Sequence, residues 1–113
     1  MAFDVIVPSK LGQGAVSTTP TVTTFYTVGS LTRTIVKAID LCNTGSTPLS
    51  VTVYLVPSGG AHGAANTLIP EITIGAFAMF QWTGAQVLNE WDTIRAVASG
   101  SGITINISGG ECS

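Results

Sequence analysis

The chain has 113 residues, enough for one domain with its own core, and only 9% of them are charged, against roughly a quarter in an ordinary soluble domain. Four scattered basic residues and a net charge of −2 argue against nucleic-acid binding, and no apolar run reaches the ~18–20 residues that cross a bilayer. Because so few ionised groups favour association, the composition predicts a subunit of an assembly.

The first twenty residues are predicted to form an extended arm with at most one short strand. An apolar run from Asp4 to Val7 precedes a loop-like stretch of small and polar residues, and Pro20 marks the start of the compact part. The acidic start has no basic n-region and no apolar h-region, so we expect synthesis in a cytosol without a secretory leader. The predicted division is therefore an arm over 1–20 and a β-sandwich over 21–113.

Short strands separated by turn residues fill the rest of the chain, and no segment has helical periodicity. Pro70 indicates an edge strand or a bulge. The pattern predicts an all-β protein, an antiparallel β-sandwich or jelly roll of seven to eight strands. An immunoglobulin-type sandwich is the nearest rival, but Cys112 falls outside the last predicted strand. The predicted strands are 21–28, 33–42, 50–56, 67–74, 76–82, 86–88, 92–98 and 103–108.

No catalytic, cofactor or metal site is predicted. His62, the sole histidine, lies in a loop of small residues, where a solvated side chain is expected. Glu90 and Asp92 form the only acidic pair, interpreted as a solvated turn, with acid–base chemistry or cation binding as the alternative. Cys42 and Cys112 are expected to be free thiols, although a disulfide stays open. An enzyme is therefore not expected.

An apolar interface is predicted instead. In strand 76–82, alternation places Phe80 and Trp82 on one face and Phe77 and Met79 on the other. One face belongs to the core, and the other is either an exposed stripe that seeds a subunit interface or is also buried. The full set of predicted interface residues adds the arm and one turn: Val5, Ile6, Val7, Phe77, Met79, Phe80, Trp82 and Trp91.

Three pieces of the chain resemble small virion proteins of tailed bacteriophages, in order and spacing, over roughly residues 22–111. They are IVKAIDLCNTG (35–45), VTVYLVPSGG (51–60) with AANTLI (64–69), and VLNEWDTIRA (87–96) with ISGGE (107–111). The family often has glycine before the acid, where this chain has Trp91. The aromatic side chain at that turn is interpreted as a contact specific to this assembly.

The resemblance implies a non-enzymatic virion structural protein of β-sandwich fold, assembled in the host cytoplasm. The composition adds the expectation that it contacts neither nucleic acid nor membrane. The first interpretation is a capsid decoration protein that binds copies of itself, as a trimer, and the major capsid or other virion proteins. A tail, neck or fibre-associated protein is the alternative. A sugar- or receptor-binding sandwich is a third hypothesis, with the stacking side chains Tyr26, Tyr54, Trp82 and Trp91.

Overall fold

The structure is a computed structural model that describes residues 6–112, and it is built from β-strands that run antiparallel to their neighbours. A three-residue 3-10 helix, Ala64–Asn66, precedes the fifth strand. The strands are β1 (Ile6–Ala15), β2 (Thr23–Thr27), β3 (Arg33–Asn43), β4 (Leu49–Val56), β5 (Thr67–Ile74), β6 (Met79–Leu88), β7 (Thr93–Ala98) and β8 (Ile103–Cys112).

The strands form two four-stranded sheets. Sheet A has the order β1-β8-β3-β6, and sheet B has the order β2-β7-β4-β5. Two four-stranded antiparallel sheets with these strand orders form a jelly roll. The strand orders differ from those of an immunoglobulin-type sandwich, whose sheets are ABED and CFG. The predicted all-β sandwich is therefore confirmed, in its jelly-roll form.

The core lies between the two sheets and follows from alternation along the central strands. Every second residue of β8 from Ile103 to Ile107 is fully buried, and the residues between them face outward. Sheet B contributes in the same way from its central strands β4 and β7. The fully buried side chains include Val36, Ile39, Leu41, Val51, Val53, Ile94, Ile103, Ile105 and Ile107.

The arm predicted over 1–20 is not what the structure has at residues 6–15. These residues form β1, which pairs with β8 from Ile6↔Cys112 to Ala15↔Thr104. Leu11 and Val16 enter the core, so this segment is an integral edge strand of sheet A. Its Pro, Ser, Lys and Gly residues read as a loop in sequence, yet they satisfy an edge strand that needs one paired side only.

Two predicted strands merge and one extends. The segments 76–82 and 86–88 belong to the single strand β6, which begins at Met79, so Phe77 lies in the preceding turn. The turn signal at Thr83-Gly84 is instead a β-bulge, since two residues of β6, Gly84 and Ala85, oppose the single residue Lys37 of β3 at that point. Strand β8 continues to Cys112 rather than ending at Ser108, because both of its neighbours supply hydrogen bonds along that length.

Bulges lie at one level across sheet A. An extra residue occurs in β1 at Leu11, in β3 at Lys37, and in β6 between Thr83 and Gln86. At this level a Cβ on Gly109 would lie 2.0 Å from the Ile35 carbonyl oxygen, so only glycine allows the two central strands to approach this closely. In sheet B, Pro70 lies on edge strand β5 within another register shift, as its predicted edge or bulge position requires.

The two thiols are far apart. Cys112 pairs with Arg33 at the start of β3, while Cys42 lies near the end of that strand, nine residues away, or ~30 Å at ~3.3 Å per residue. Because a disulfide needs Cα atoms within about 7 Å, this fold keeps both thiols free within one subunit. Between residues 6 and 112, no helix has the length and apolarity to cross a membrane.

Candidate assembly surfaces

The loops at the two ends of the sandwich differ in charge. One end, here called the uncharged end, consists of loops 16–22, 44–48, 75–78 and 99–102, and none of their residues has an ionisable side chain. The opposite end, here called the charged end, consists of loops 28–32, 57–66 and 89–92. It carries His62, Glu90 and Asp92, with Arg33 and Glu111 on the adjoining strands.

The uncharged end is held together by one buried amide. Asn43 is fully buried, and its Nδ2 donates to the carbonyl oxygens of Thr47 at 2.8 Å and Ile74 at 3.1 Å. Its Oδ1 accepts from the Gly45 amide at 2.9 Å. A neutral side chain with both donors and an acceptor therefore ties two loops together where no charged group is present. The turn CNTG quoted from the sequence is the turn that this amide organises.

Large apolar side chains are exposed at the uncharged end. Phe77 is 74% exposed, and Met79, the first residue of β6, is 59% exposed. The Phe77 amide donates to the Gly45 carbonyl oxygen at 3.1 Å, and this hydrogen bond holds loop 75–78 against loop 44–48. This surface combines exposed apolar area with the absence of charge, the composition of interface cores rather than of solvated surface.

At the charged end, the turn 89–92 is fixed by its two carboxylates. The Glu90 carboxylate accepts from the Leu31 amide, and Asp92 accepts from the amides of Asn89 and Ser58, both at 2.9 Å. The Trp91 amide donates to Val28 O at 3.0 Å. Both acidic side chains thus serve as backbone acceptors that hold three loops together.

All the non-glycine residues with positive φ among those described are large, exposed and apolar. Leu31 has φ 55°, Phe77 has φ 57° and Trp91 has φ 69°, and their exposed fractions are 61%, 74% and 51%. A bulky residue in the left-handed region costs about 1–2 kcal/mol, which glycine would avoid. The chain therefore tolerates strain at three turns and displays an apolar side chain at each.

Tyr26 links the sheets near the charged end. Its hydroxyl donates to the Glu111 carboxylate, so the Thr34 hydroxyl, 2.7 Å away, must donate to the Tyr26 oxygen. Burial, followed by the hydrogen bond to Glu111, raises the pKa of Tyr26 to about 12. Thr34 is fully buried, so this network provides its hydrogen-bond partner.

A transverse groove of about 420 Å³ crosses the outer face of sheet A beside the line of bulges. Direct cross-strand neighbours Pro8, Gly110 and Ile35 form its floor, and because Gly109 and Gly110 have no side chains, β8 leaves the space between its neighbours empty. Every strand of the sheet contributes to the lining, which is mostly apolar with one cation: Pro8, Ile35, Lys37, Ala85, Gly109 and Gly110.

Above the groove the outer face of sheet A is polar. Gln13, Asn106, Asp40 and Gln81 are direct neighbours across the four strands. The Asp40 Oδ1 atom is buried without a hydrogen-bond partner among the described residues. The groove is therefore an apolar strip bounded on one side by a row of uncharged amides and one carboxylate.

The predicted interface residues lie in several places rather than in one patch. Phe80 and Trp82 oppose the core residues Leu41 and Ile39, so they share the inner face as predicted, and Trp82 packs partly against the core. Met79 opposes Cys42 on the outer face.

The remaining predicted residues are spread over both ends. Val7 is 56% exposed near the start of β1, Phe77 lies at the uncharged end, and Trp91 lies at the charged end. Ile6 is described through its backbone pairing with Cys112, and Val5 lies outside the described residues.

Leu31, Val87 and the groove were not predicted from the sequence. Leu31 follows Gly29-Ser30, and a large apolar residue inside a turn was the available signal for it. Val87 is 59% exposed beside Ile35 on the outer face. The groove depends on the register of four strands, which local sequence does not specify.

The residues weighed for binding chemistry are dispersed. The His62 ring lies 5.4 Å from that of Tyr54, centroid to centroid, on an exposed loop. Tyr26, Tyr54 and Trp82 lie on three different strands, while Trp91 lies in a turn. Among the described residues, no three His, Cys, Asp or Glu side chains come together as a metal site.

Comparison with known proteins gives structural likeness without sequence likeness. No family model matches the sequence, and no curated protein matches it significantly. A chain from the structure of infectious bursal disease virus, Gx strain, superposes with a TM-score of 0.52 at 12% identity, over 95% of this chain and 31% of that one. A chain of the T13 viral particle of the same virus gives a TM-score of 0.49 at 10% identity, over 95% and 30% of the two chains.

The similarity to the Gx-strain chain shows the fold alone. The present chain spans less than a third of the length of the viral chains that it matches. A fold similar to the jelly roll described above therefore occurs in part of a chain from the structure of that virus.

Proposed function

We propose that this protein is a non-enzymatic structural subunit of a virus particle, of the head decoration type found in tailed bacteriophages. In this role it binds the shell in many copies, contacts other copies of itself and reinforces the lattice mechanically. The jelly roll serves as a rigid body that presents surfaces, and each contact buries apolar side chains.

The observation that carries the proposal is the uncharged end. Removing a charged group from water is costly, and a surface without charges avoids that cost when a partner covers it. Phe77 and Met79 supply exposed apolar area at that end. A free subunit gains nothing from such a surface, whereas a subunit that is covered in an assembly does.

Two further observations support the proposal. The likeness of the fold to part of a chain of infectious bursal disease virus supports a virion structural role. The segments that resemble phage virion proteins coincide with structural positions of this jelly roll, among them the Asn43 turn and the close approach at Gly109. A tail, neck or fibre position requires the same kind of subunit, and it differs in copy number.

Imaging of intact particles tests the proposal directly. Electron microscopy of particles that contain this protein should locate a jelly-roll density over the shell, with one copy or one oligomer for each repeating lattice position. Density restricted to a tail or neck would replace decoration with the accessory role. Particles without the protein, together with binding on a glycan array, would favour the sugar-binding hypothesis and overturn the structural role.

A further inference from the structure

We propose that Trp91 of one copy inserts into the transverse groove of sheet A on a second copy. The contact rests on the proposed multi-copy function and names the surfaces through which copies meet. The turn formed by Glu90, Trp91 and Asp92 is here called the knob. The contact joins the knob of one copy to the groove of another, so each subunit has one knob and one groove.

The groove has the chemistry of an aromatic acceptor. Its volume of about 420 Å³ is open on the outer face, and its floor is formed by Pro8, Ile35 and the backbone of Gly109 and Gly110. Glycine backbone lets a flat ring approach closely, and proline and isoleucine supply apolar contact. Because residues 109 and 110 are both glycine, β8 places no side chain in this space.

Trp91 has the features of the inserted group. Half of its surface is exposed, and its left-handed φ of 69° holds the side chain at a turn where glycine would relieve strain. The turn is rigid, because Glu90 and Asp92 each accept hydrogen bonds from backbone amides of neighbouring segments. A rigid, exposed tryptophan loses little conformational freedom on binding and is the residue type most enriched at the energetic centres of interfaces.

Charge selects this pairing over the others. The knob carries Glu90 and Asp92 on either side of Trp91, and the groove is lined by the exposed Lys37. Contact between two charged ends would instead bring together four like charges from these turns. Insertion into the groove places the carboxylates next to a cation and leaves the uncharged end free for the shell.

The contact is heterologous, because the knob at the charged end meets a different surface, the outer face of sheet A. Repeating one such contact by rotation closes a ring, and repeating it without closure gives a filament. The copy number of a closed ring follows from the angle between the knob and the groove. The mass of the assembly in solution therefore shows whether the copies associate and, for a closed ring, how many copies the ring contains.

The test compares two glycine variants of the full chain. Trp91→Gly and Phe77→Gly each remove an exposed aromatic side chain from a left-handed turn, and glycine suits both backbones, so both variants fold. Sedimentation equilibrium over a wide concentration range should show that the unmodified chain self-associates. Trp91→Gly should raise the dissociation constant by roughly tenfold or more, the effect of losing a central aromatic anchor, and Phe77→Gly should leave it unchanged.

A second pair of variants tests the groove. Lys37→Glu reverses the charge beside the groove, and Arg95→Glu makes the same change in net charge on β7 of the other sheet. Lys37→Glu should weaken association severalfold, whereas Arg95→Glu should not. Ala85→Trp should block the groove and weaken association as strongly as Trp91→Gly.

Three results would overturn the contact. They are an unmodified chain that remains monomeric at the highest concentration, equal association of Trp91→Gly and the unmodified chain, and loss of association in Phe77→Gly but not in Trp91→Gly. None of these bears on whether the protein is found in virus particles, which imaging decides separately. The knob-and-groove contact and the virion role can therefore fail independently.

Discussion

The loops at the two ends of the sandwich are held together by different kinds of side chain. At the uncharged end, the fully buried Asn43 amide makes the hydrogen bonds that hold loops together. At the charged end, Glu90 and Asp92 do this with carboxylates that stay partly exposed. A neutral amide can be covered by a partner at little cost, whereas a carboxylate keeps its hydration. The uncharged end is therefore suited to complete burial under a partner, and the charged end to a contact in which its carboxylates lie beside a cation and stay partly hydrated.

The largest effect is expected at the amide. Asn43→Ala should lower the free energy of unfolding by about 3 kcal/mol, because it leaves the Thr47 and Ile74 carbonyl oxygens and the Gly45 amide without this partner. Urea unfolding measures the change. Asn43→Asp keeps the shape but cannot donate, and it buries a charge, so it should be at least as destabilising. A loss under about 1 kcal/mol in both variants would show that the amide does not organise this end.

The next effect is expected near the charged end. Tyr26→Phe should cost about 1–2 kcal/mol of unfolding free energy, because Thr34 is fully buried and loses its hydroxyl partner. Thr34→Val alone removes the same bond from the other side. The double variant should therefore be less destabilised than the sum of the two single variants. Strict additivity in urea unfolding would show that the two hydroxyls are not coupled.

The strained turns allow the two ends to be compared with one substitution. Phe77→Gly should raise the free energy of unfolding by about 1 kcal/mol, since it relieves a left-handed φ and most of the ring is exposed. Trp91→Gly should raise the free energy of unfolding by a smaller amount, because half of that side chain is buried and the substitution removes its packing. Thermal unfolding at low protein concentration measures both. Destabilisation by Phe77→Gly would contradict the assignment of strain there.

The smallest effect is a pH dependence that belongs to the charged end. The pKa of Tyr26 is raised from 10.0 to about 12, so the unfolded chain releases this proton at a lower pH than the folded protein does. The stability that folding gains from the raised pKa of Tyr26 is fully present below pH 10, and it is lost as the pH rises towards 12. Because the site is partly exposed, solvent screening limits it to about 1 kcal/mol or less. The difference in stability between the unmodified chain and Tyr26→Phe should shrink across that window, and a constant difference would contradict it.

The sequence predicted the core and the fold class because both depend on local alternation. Ile103, Ile105 and Ile107 are buried as their period of two requires, and Phe80 and Trp82 share a face. Residues 6–15 were missed as a strand because the segment is a paired edge with few β-branched residues. Gly109 and Gly110 looked like a strand end, but their role is set by the Ile35 carbonyl of a neighbouring strand.

The candidate surfaces were predicted only in part for a similar reason. Trp91 stood out because a glycine is common at that position in the sequences that it resembles, and its positive φ gives the physical reason. The groove could not be predicted, because it combines residues from four strands whose register depends on three bulges. The contrast between the ends emerged only when the topology assigned each loop to its side.

The close approach at Gly109 also determines the register of β8 in sheet A. Sliding β8 by one residue in one direction would bring the Cβ of Ser108 against the Ile35 carbonyl oxygen, where only glycine fits. Sliding it in the other direction would keep a glycine there, but a slip of one residue in either direction also turns Ile103, Ile105 and Ile107 from the core to the solvent. Loss of the buried isoleucines therefore disfavours both neighbouring registers, and the steric clash at Ser108 disfavours one of them a second time.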